Sequence, residues 1–298
     1  MMTICDKEIK IDGKAIRIAH VAEGFDSADH FDEIIRALKK SGQRVDLFTF
    51  IQRLSETTPL HDYPMEWDNF AVLPVTSYDH WFTKQIKTHT RNKIRKAEKA
   101  GLIVREVPFD DDLIRGISVI NNESPVRQGR PFWHYKDDLE TVRRKNGTFL
   151  SQSVFLGVFH EGVLIGYAKL VSDPTQQQAG LMQILTMLQH RDKATSNLLI
   201  SEAVRSCANR SIPNLWYANF SYGKKEKDGL SDFKEQNGFR RVDIPRFYIP
   251  ITLLGRIALR TRLHRGLKER IPWSLQERLR KFRNRWYDRK LQGVKTAS

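Results

Sequence analysis

The sequence predicts an α/β fold, and three observations carry that expectation. Two apolar runs, residues 149–159 and 163–171, flank His160-Glu161-Gly162 and read as a β-hairpin closed by a tight glycine turn. An apolar run at 179–188 passes through a basic loop into a helical pattern at 197–209, giving strand, loop and helix in succession. No internal repeat occurs at periods of about 20 to 50 residues, which argues against solenoids and propellers.

The remaining elements follow in order. Residues 15–21 read as a strand, 31–40 as an amphipathic helix, and 45–52 and 70–75 as further strands. Residues 78–99 read as one Lys/Arg-rich helix ending at Gly101, a residue suited to the left-handed C-cap. A short β run at 102–107 precedes a helix over 110–120, whose leading aspartates favour a helix N-terminus. Pro125, Gly129 and Pro131 make 121–135 irregular, and 137–145 reads as a second short helix. After the hairpin and the 197–209 helix, 215–220 is a strand and 231–236 a helix. Residues 239–251 read as paired terminal strands bent at Pro245 and Pro250. The tail from Thr252 is helical, with Leu275, Leu279, Phe282 and Trp286 on one stripe and Arg and Lys opposite.

Composition narrows the class. With 40% hydrophobic and 29% charged residues over 298 positions, the chain is that of a globular protein. The best candidate for a membrane span, 247–259, is broken by Pro250 and Arg256, short of the ~18 apolar residues required. The first residues carry charges where a signal peptide would be apolar, so a cytoplasmic location is expected. Cys5 and Cys207, the only cysteines, lack metal-ligand spacing and read as inert thiols. No zinc motif, P-loop or dinucleotide fingerprint is found, so no metal, ATP or NAD is expected.

The net charge of +15 is concentrated. Residues 251–298 hold 14 basic residues against 3 acids, and 84–105 hold 8 against 1, leaving the remainder at −3. These two segments can face polyanions such as RNA, anionic lipid or a nucleotide sugar.

Over residues 102–250 the element order resembles the GNAT fold, with Asp232-Phe233-Lys234 and Asn237-Gly238-Phe239 similar to the family's late helix and its Gly-Phe ending. The run Arg91-Asn92-Lys93-Ile94-Arg95-Lys96-Ala97-Glu98-Lys99-Ala100-Gly101 is similar to the segment that introduces the acyltransfer domain of Fem-type aminoacyl transferases and their acetyltransferase relatives in bacterial polysaccharide gene clusters. Asn121-Asn122-Glu123, Phe132-Trp133-His134-Tyr135 and 245–250 look like the same subgroup; a solvated basic helix is the plain alternative for 91–101.

The resemblance implies a mixed, mainly antiparallel central sheet flanked by helices. It divides the chain into an N-terminal α/β extension at 1–77, in the manner of a partial GNAT-like half, a basic linking helix at 78–101, an acyltransferase domain at 102–250 and a basic amphipathic tail at 251–298. It also implies an acyl-CoA donor, acetyl-CoA first, whose pyrophosphate would lie between a splayed strand and a helix N-terminus. That stretch here is Leu188-Gln189-His190-Arg191-Asp192-Lys193-Ala194-Thr195-Ser196-Asn197, without a glycine. Arg191, Lys193 and the hydroxyls of Thr195 and Ser196 are candidate phosphate ligands. The oxyanion would meet a backbone N–H near Leu188 and Gln189.

For proton transfer the candidate bases are Glu123 or His134, and the resemblance implies Tyr222 as acid for the leaving group; Arg127, Gln128 and Tyr135 are candidate acceptor ligands, and the resemblance adds Lys234. The expected activity is N-acyl transfer to an amine of a cell-envelope or polysaccharide precursor, small or lipid-linked. A Fem-type transferase using aminoacyl-tRNA is the second reading, and a non-catalytic module binding RNA or an anionic surface the third. The tail suits an anionic membrane surface on the inner face, packing on the domain, or nucleic acid.

Overall fold

A computed structural model describes residues 2–5, 7–21, 31–52, 56–127, 130–221 and 229–265. The chain divides into two compact units, 1–68 with 243–298, and 69–242. This partition cuts the chain elsewhere than the division read from sequence.

The first unit begins with β1 (Met2–Ile4), β2 (Lys7–Asp12), β3 (Ile18–Val21), α1 (Phe31–Lys40) and β4 (Leu47–Ile51). Strands β1, β2 and β3 pair antiparallel, and β3 pairs parallel with β4. Helix α1 buries Ile34, Ile35 and Leu38, with Asp32 and Glu33 in its first turn and Lys39 and Lys40 in its last, each sign matching the helix dipole.

The second unit holds β5 (Met65–Pro74) from Asn69 onward, α2 (Tyr78–His80), a π-helical turn Trp81–Gln85, α3 (Thr88–Lys99), β6 (Ile103–Val107), α4 (Asp111–Asn122), the ribbon β7 (Val126–Arg127) and β8 (Arg130–Pro131), and α5 (Leu139–Asn146). Then come β9 (Ser153–His160), β10 (Val163–Ser172), β11 (Ala179–Thr186), α6 (Thr195–Asn209), β12 (Asn214–Asn219) and α7 (Gly229–Gln236). Its sheet runs β5-β12-β11-β10-β9-β6 and is antiparallel except at β11/β12. Residues 165–171 of β10 are buried on either face, and α4 and α6 both pack against this strand. This is the expected mixed, mainly antiparallel sheet flanked by helices.

Local chemistry explains the boundaries. Asp110 and Asp138 cap α4 and α5 by accepting the N–H groups of Leu113 and Thr141. The β9–β10 hairpin turns at Glu161 and Gly162, whose φ values of 51° and 79° match the twist of the flanking strands. Gly101 takes φ 76° after α3.

The predicted helix over 78–99 is broken. Trp81 is fully buried, its Nε1 donates to the carbonyl of Asn237 (3.0 Å), and Ile86 is extended. The Arg91 guanidinium donates to the carbonyl of Ile86 (2.6 Å), closing the turn before α3. Helix α3 then buries Thr90, Ile94 and Ala97 and exposes Arg95, Lys96 and Lys99.

The chain returns to the first unit in β13 (Arg240–Pro250), which pairs antiparallel with β4 from Arg246↔Ile51 to Pro250↔Leu47. It is a single strand rather than the expected pair. Helix α8 (Leu253–Arg260) follows. The predicted stripe Leu275, Leu279, Phe282 and Trp286 lies outside the described residues. No helix among the described residues is long and apolar enough to cross a membrane.

Candidate functional site

The parallel pair β11/β12 is in register only at Ala179↔Leu215 and Gly180↔Trp216, whereas β11 stays paired with β10 as far as Thr186↔Gly166. From Leu181 onward, no described strand pairs with β11 on its β12 side. Gly180 is required where the strands meet, since a Cβ there would lie 2.7 Å from the Trp216 indole. On the other strand, Ala218 takes φ 45° within a register shift between Trp216 and Asn219. The resulting cleft holds about 860 Å³, with Thr186, Leu188, Arg191 and Ser196 on the β11 side and Tyr217 and Phe233 opposite. That volume is in the usual range of small-molecule sites.

Beyond β11, Leu188–Lys193 form a 3₁₀ turn and Ala194 adopts φ 56°, ψ 32° before α6 begins. The left-handed conformation usually supplied by glycine is therefore present, at a cost of roughly 1–2 kcal/mol for a residue with a Cβ. No side chain caps α6, so its N-terminus retains the dipole that favours an anion. Of the candidate phosphate ligands, Arg191 and Ser196 line the cleft. Thr195 and Asn197 are buried: Thr195 donates to the carbonyl of His190 (3.3 Å) within the turn, and Asn197 donates to Oδ1 of Asn237 (3.1 Å), just past α7. His190 contacts the His160 ring, and Lys193 is half-buried. Lys96 of α3 donates to the carbonyl of Asp192 (3.2 Å), so the basic helix adjoins this loop.

The amides expected to meet an oxyanion are already engaged. Leu188 N–H donates to Oε2 of Glu123 at 2.6 Å and Gln189 N–H to Oε1 at 2.9 Å. Arg127 donates to the same carboxylate (3.1 Å) and to the carbonyls of Thr186 (2.8 Å) and Ile120 (2.7 Å). Burial lowers the Arg127 pKa while Glu123 and Tyr167 oppose it, and the guanidinium remains charged. Glu123, expected as a base, is instead an acceptor bound by three charge-assisted or backbone donors. Arg127, expected to grip an acceptor, lines the cleft and also fastens the end of α4 to the end of β11.

His134 lies outside the lining of this cleft. Its Nδ1 is 3.2 Å from Asp137 Oδ2, which also accepts from Lys145 (2.7 Å), and Phe132 and Trp133 flank the ring. Burial holds the imidazole below its ordinary pKa, with Lys145 acting in the same sense and Asp137 opposing. Such a base held by a carboxylate is a recognisable proton-transfer unit. Tyr135 is half-buried beside Lys136. Lys234, expected on the acceptor, is fully buried: its Nζ donates to the carbonyl of Asn219 (2.5 Å) and lies 4.4 Å from the Tyr217 ring centroid. Gln128 and Tyr222 fall outside the described residues. Tyr217 and Phe233 were missed as cleft residues; the strand and helix bearing them were legible, but not the side they present.

No protein-family model matches the sequence, and no curated protein matches it at a significant level. Solved structures do match. The C-terminal DUF2156 domain of an Agrobacterium fabrum protein assigned as a lysylphosphatidylglycerol synthetase aligns with TM-score 0.57 and 12% identity, over 84% of this chain and 83% of that one. L-PGS from Bacillus licheniformis aligns with TM-score 0.55 and 14% identity, over 86% and 85%. FemX aligns with TM-score 0.54 and 9% identity, over 80% and 83%. At these identities the likeness is one of fold.

Proposed function

We propose that this chain is an acyltransferase that takes an activated acyl group in the β11/β12 cleft. The observation that carries the reading is the splay itself. Beyond Gly180 the edge of β11 faces a cleft of about 860 Å³ next to the uncapped N-terminus of α6 and Arg191. An extended acyl carrier can pair with such a strand edge while its phosphates lie at the helix N-terminus. The nucleophile attacks the acyl carbon, the tetrahedral intermediate collapses, and the bond to the carrier breaks. The proton lost by the nucleophile passes to the departing alkoxide or thiolate.

Two donors fit this scheme. For acyl-CoA, the left-handed Ala194 and the uncapped helix reproduce a phosphate-binding turn without glycine. For an aminoacyl-tRNA, the contact of Lys96 with Asp192 extends the basic surface from the loop along α3, which presents Arg95, Lys96 and Lys99 to solvent. Glu123 engages the Leu188 and Gln189 amides and is itself paired with Arg127, an arrangement that serves either donor alike. The fold neighbours include proteins named for making lysylphosphatidylglycerol, so an anionic lipid hydroxyl joins the amines of cell-envelope and polysaccharide precursors as an acceptor class.

The test is donor binding and turnover by the full chain. Calorimetry with acetyl-CoA and desulfo-CoA, and transfer from charged tRNA to hydroxylamine, are run on the wild type and on Arg191→Ala/Lys193→Ala. Loss of one donor's binding or transfer in the variant, by about tenfold or more, supports the cleft and names the donor. Absence of both activities in the wild type overturns the reading.

A further inference from the structure

Helix α8 presents its apolar residues outward. Its inward face is made of the two small residues Gly255 and Ala258, both buried, and a Cβ on Gly255 would lie 2.0 Å from the backbone oxygen of Asp46. Backbone therefore rests on backbone there. The orientation is pinned at the start: Thr252 Oγ1 donates to Oδ1 of the buried Asp46 (2.8 Å) and accepts the N–H of Gly255 (3.1 Å).

An amphipathic helix ordinarily turns its large apolar residues to the core. Here the pattern is reversed, with Leu253 72% and Ile257 47% exposed. These two lie four residues apart, as do the exposed Arg256 and Arg260, so two rows, one apolar and one cationic, run side by side along the outer face. Leu254 and Leu263 extend the apolar row, and residues 251–265 contain no acid.

We propose that the outer face of α8 rests on an anionic phospholipid surface, with Leu253 and Ile257 among the acyl chains and Arg256 and Arg260 at the lipid phosphates. Apolar burial and charge attraction add at such an interface, and this face offers both in matched rows. Charge complementarity selects this occupant over a neutral apolar partner. The basic excess continues through 266–298, which bear 10 Lys and Arg against 3 acids. The proposal is independent of which acyl donor the cleft takes.

The test is co-sedimentation of the full chain with vesicles of phosphatidylcholine alone and with a fraction of phosphatidylglycerol. Binding is expected only to the anionic vesicles and is expected to fall with salt. Leu253→Asp/Ile257→Asp and, separately, Arg256→Glu/Arg260→Glu are each expected to weaken partitioning by about tenfold or more. Should the paired charges unfold the unit, Leu253→Ser and Ile257→Ser singly repeat the test, with thermal melting as the control. Equal binding to neutral and anionic vesicles, or wild-type binding by every variant, overturns the proposal. So does light scattering that shows a dimer which the apolar variants dissociate, since the face would then be covered by a second copy.

Discussion

The backbone N–H of Leu188 donates to the carboxylate of Glu123 at 2.6 Å, joining residues 65 positions apart at the edge of the cleft. The second carboxylate oxygen takes the N–H of Gln189, and Arg127 completes the set. Glu123→Ala leaves two amides and a largely buried guanidinium without their acceptor, at an expected cost of about 2–4 kcal/mol. Glu123→Gln keeps an acceptor and is expected to cost roughly half as much. Urea unfolding measures both, and an unchanged midpoint for Glu123→Ala would show that the latch contributes nothing.

Gly180→Ala places a Cβ 2.7 Å from the Trp216 ring at the point where β11 and β12 part. Overpacking of this kind is expected to cost about 1–3 kcal/mol. Trp216→Leu in the same background should recover part of the loss. A thermal melt in which Gly180→Ala matches the wild type would show that the strands move apart to accommodate the methyl group.

The Cys207 thiol is buried, and burial pushes its pKa up from 9.0 to about 12. Between these values the unfolded chain has released the proton and the folded chain retains it, so stability falls as pH rises, by about 1.4 kcal/mol per unit. Cys207→Ala should flatten that slope above pH 9. In the native state only the exposed Cys5 should react with a thiol reagent near pH 8, and both cysteines should react in denaturant.

His134 carries the opposite linkage. Its pKa lies below the ordinary 6.5 because the ring is partly buried, so on acidification the unfolded chain takes up the proton first. Stability is expected to fall as pH drops below 6.5, and His134→Gln should reduce that fall. Asp137 raises the imidazole pKa, so Asp137→Asn should lower it further in an NMR titration. A rise in that variant would mean the carboxylate does not face the ring.

Some of this protein was determined locally, and that part was legible in the sequence. Asp110 and Asp138 announce their helices because a side-chain oxygen meets an N–H three residues on. The Glu161-Gly162 turn and Gly101 declare themselves through backbone conformations that few residues adopt readily. The hairpin β9/β10 and the strand, loop and helix from β11 to α6 follow from apolar periodicity. β1, with three residues, is too short to show a period, and in β2 the alternating Ile9 and Ile11 stand among charged residues. The break after Gln85 has neither glycine nor proline to mark it and arises from burying Trp81 against Asn237. Pro245 did not divide β13, whose pairing with β4 begins at the next residue, Arg246.

The site belongs to the tertiary structure. Residue types nominated Glu123 and Arg127, and the family resemblance Lys234, but whether a charged group faces a substrate or its own chain depends on partners distant in sequence. Glu123 met Leu188 and Gln189, Arg127 met Thr186, and Lys234 met Asn219 and the Tyr217 ring. The sequence by itself determined which segments are helix or strand and where the charge accumulates, because those follow from neighbours one to four residues away. Only the folded chain decided which donors meet which acceptors, and that two strands pairing over two residues would open the cleft.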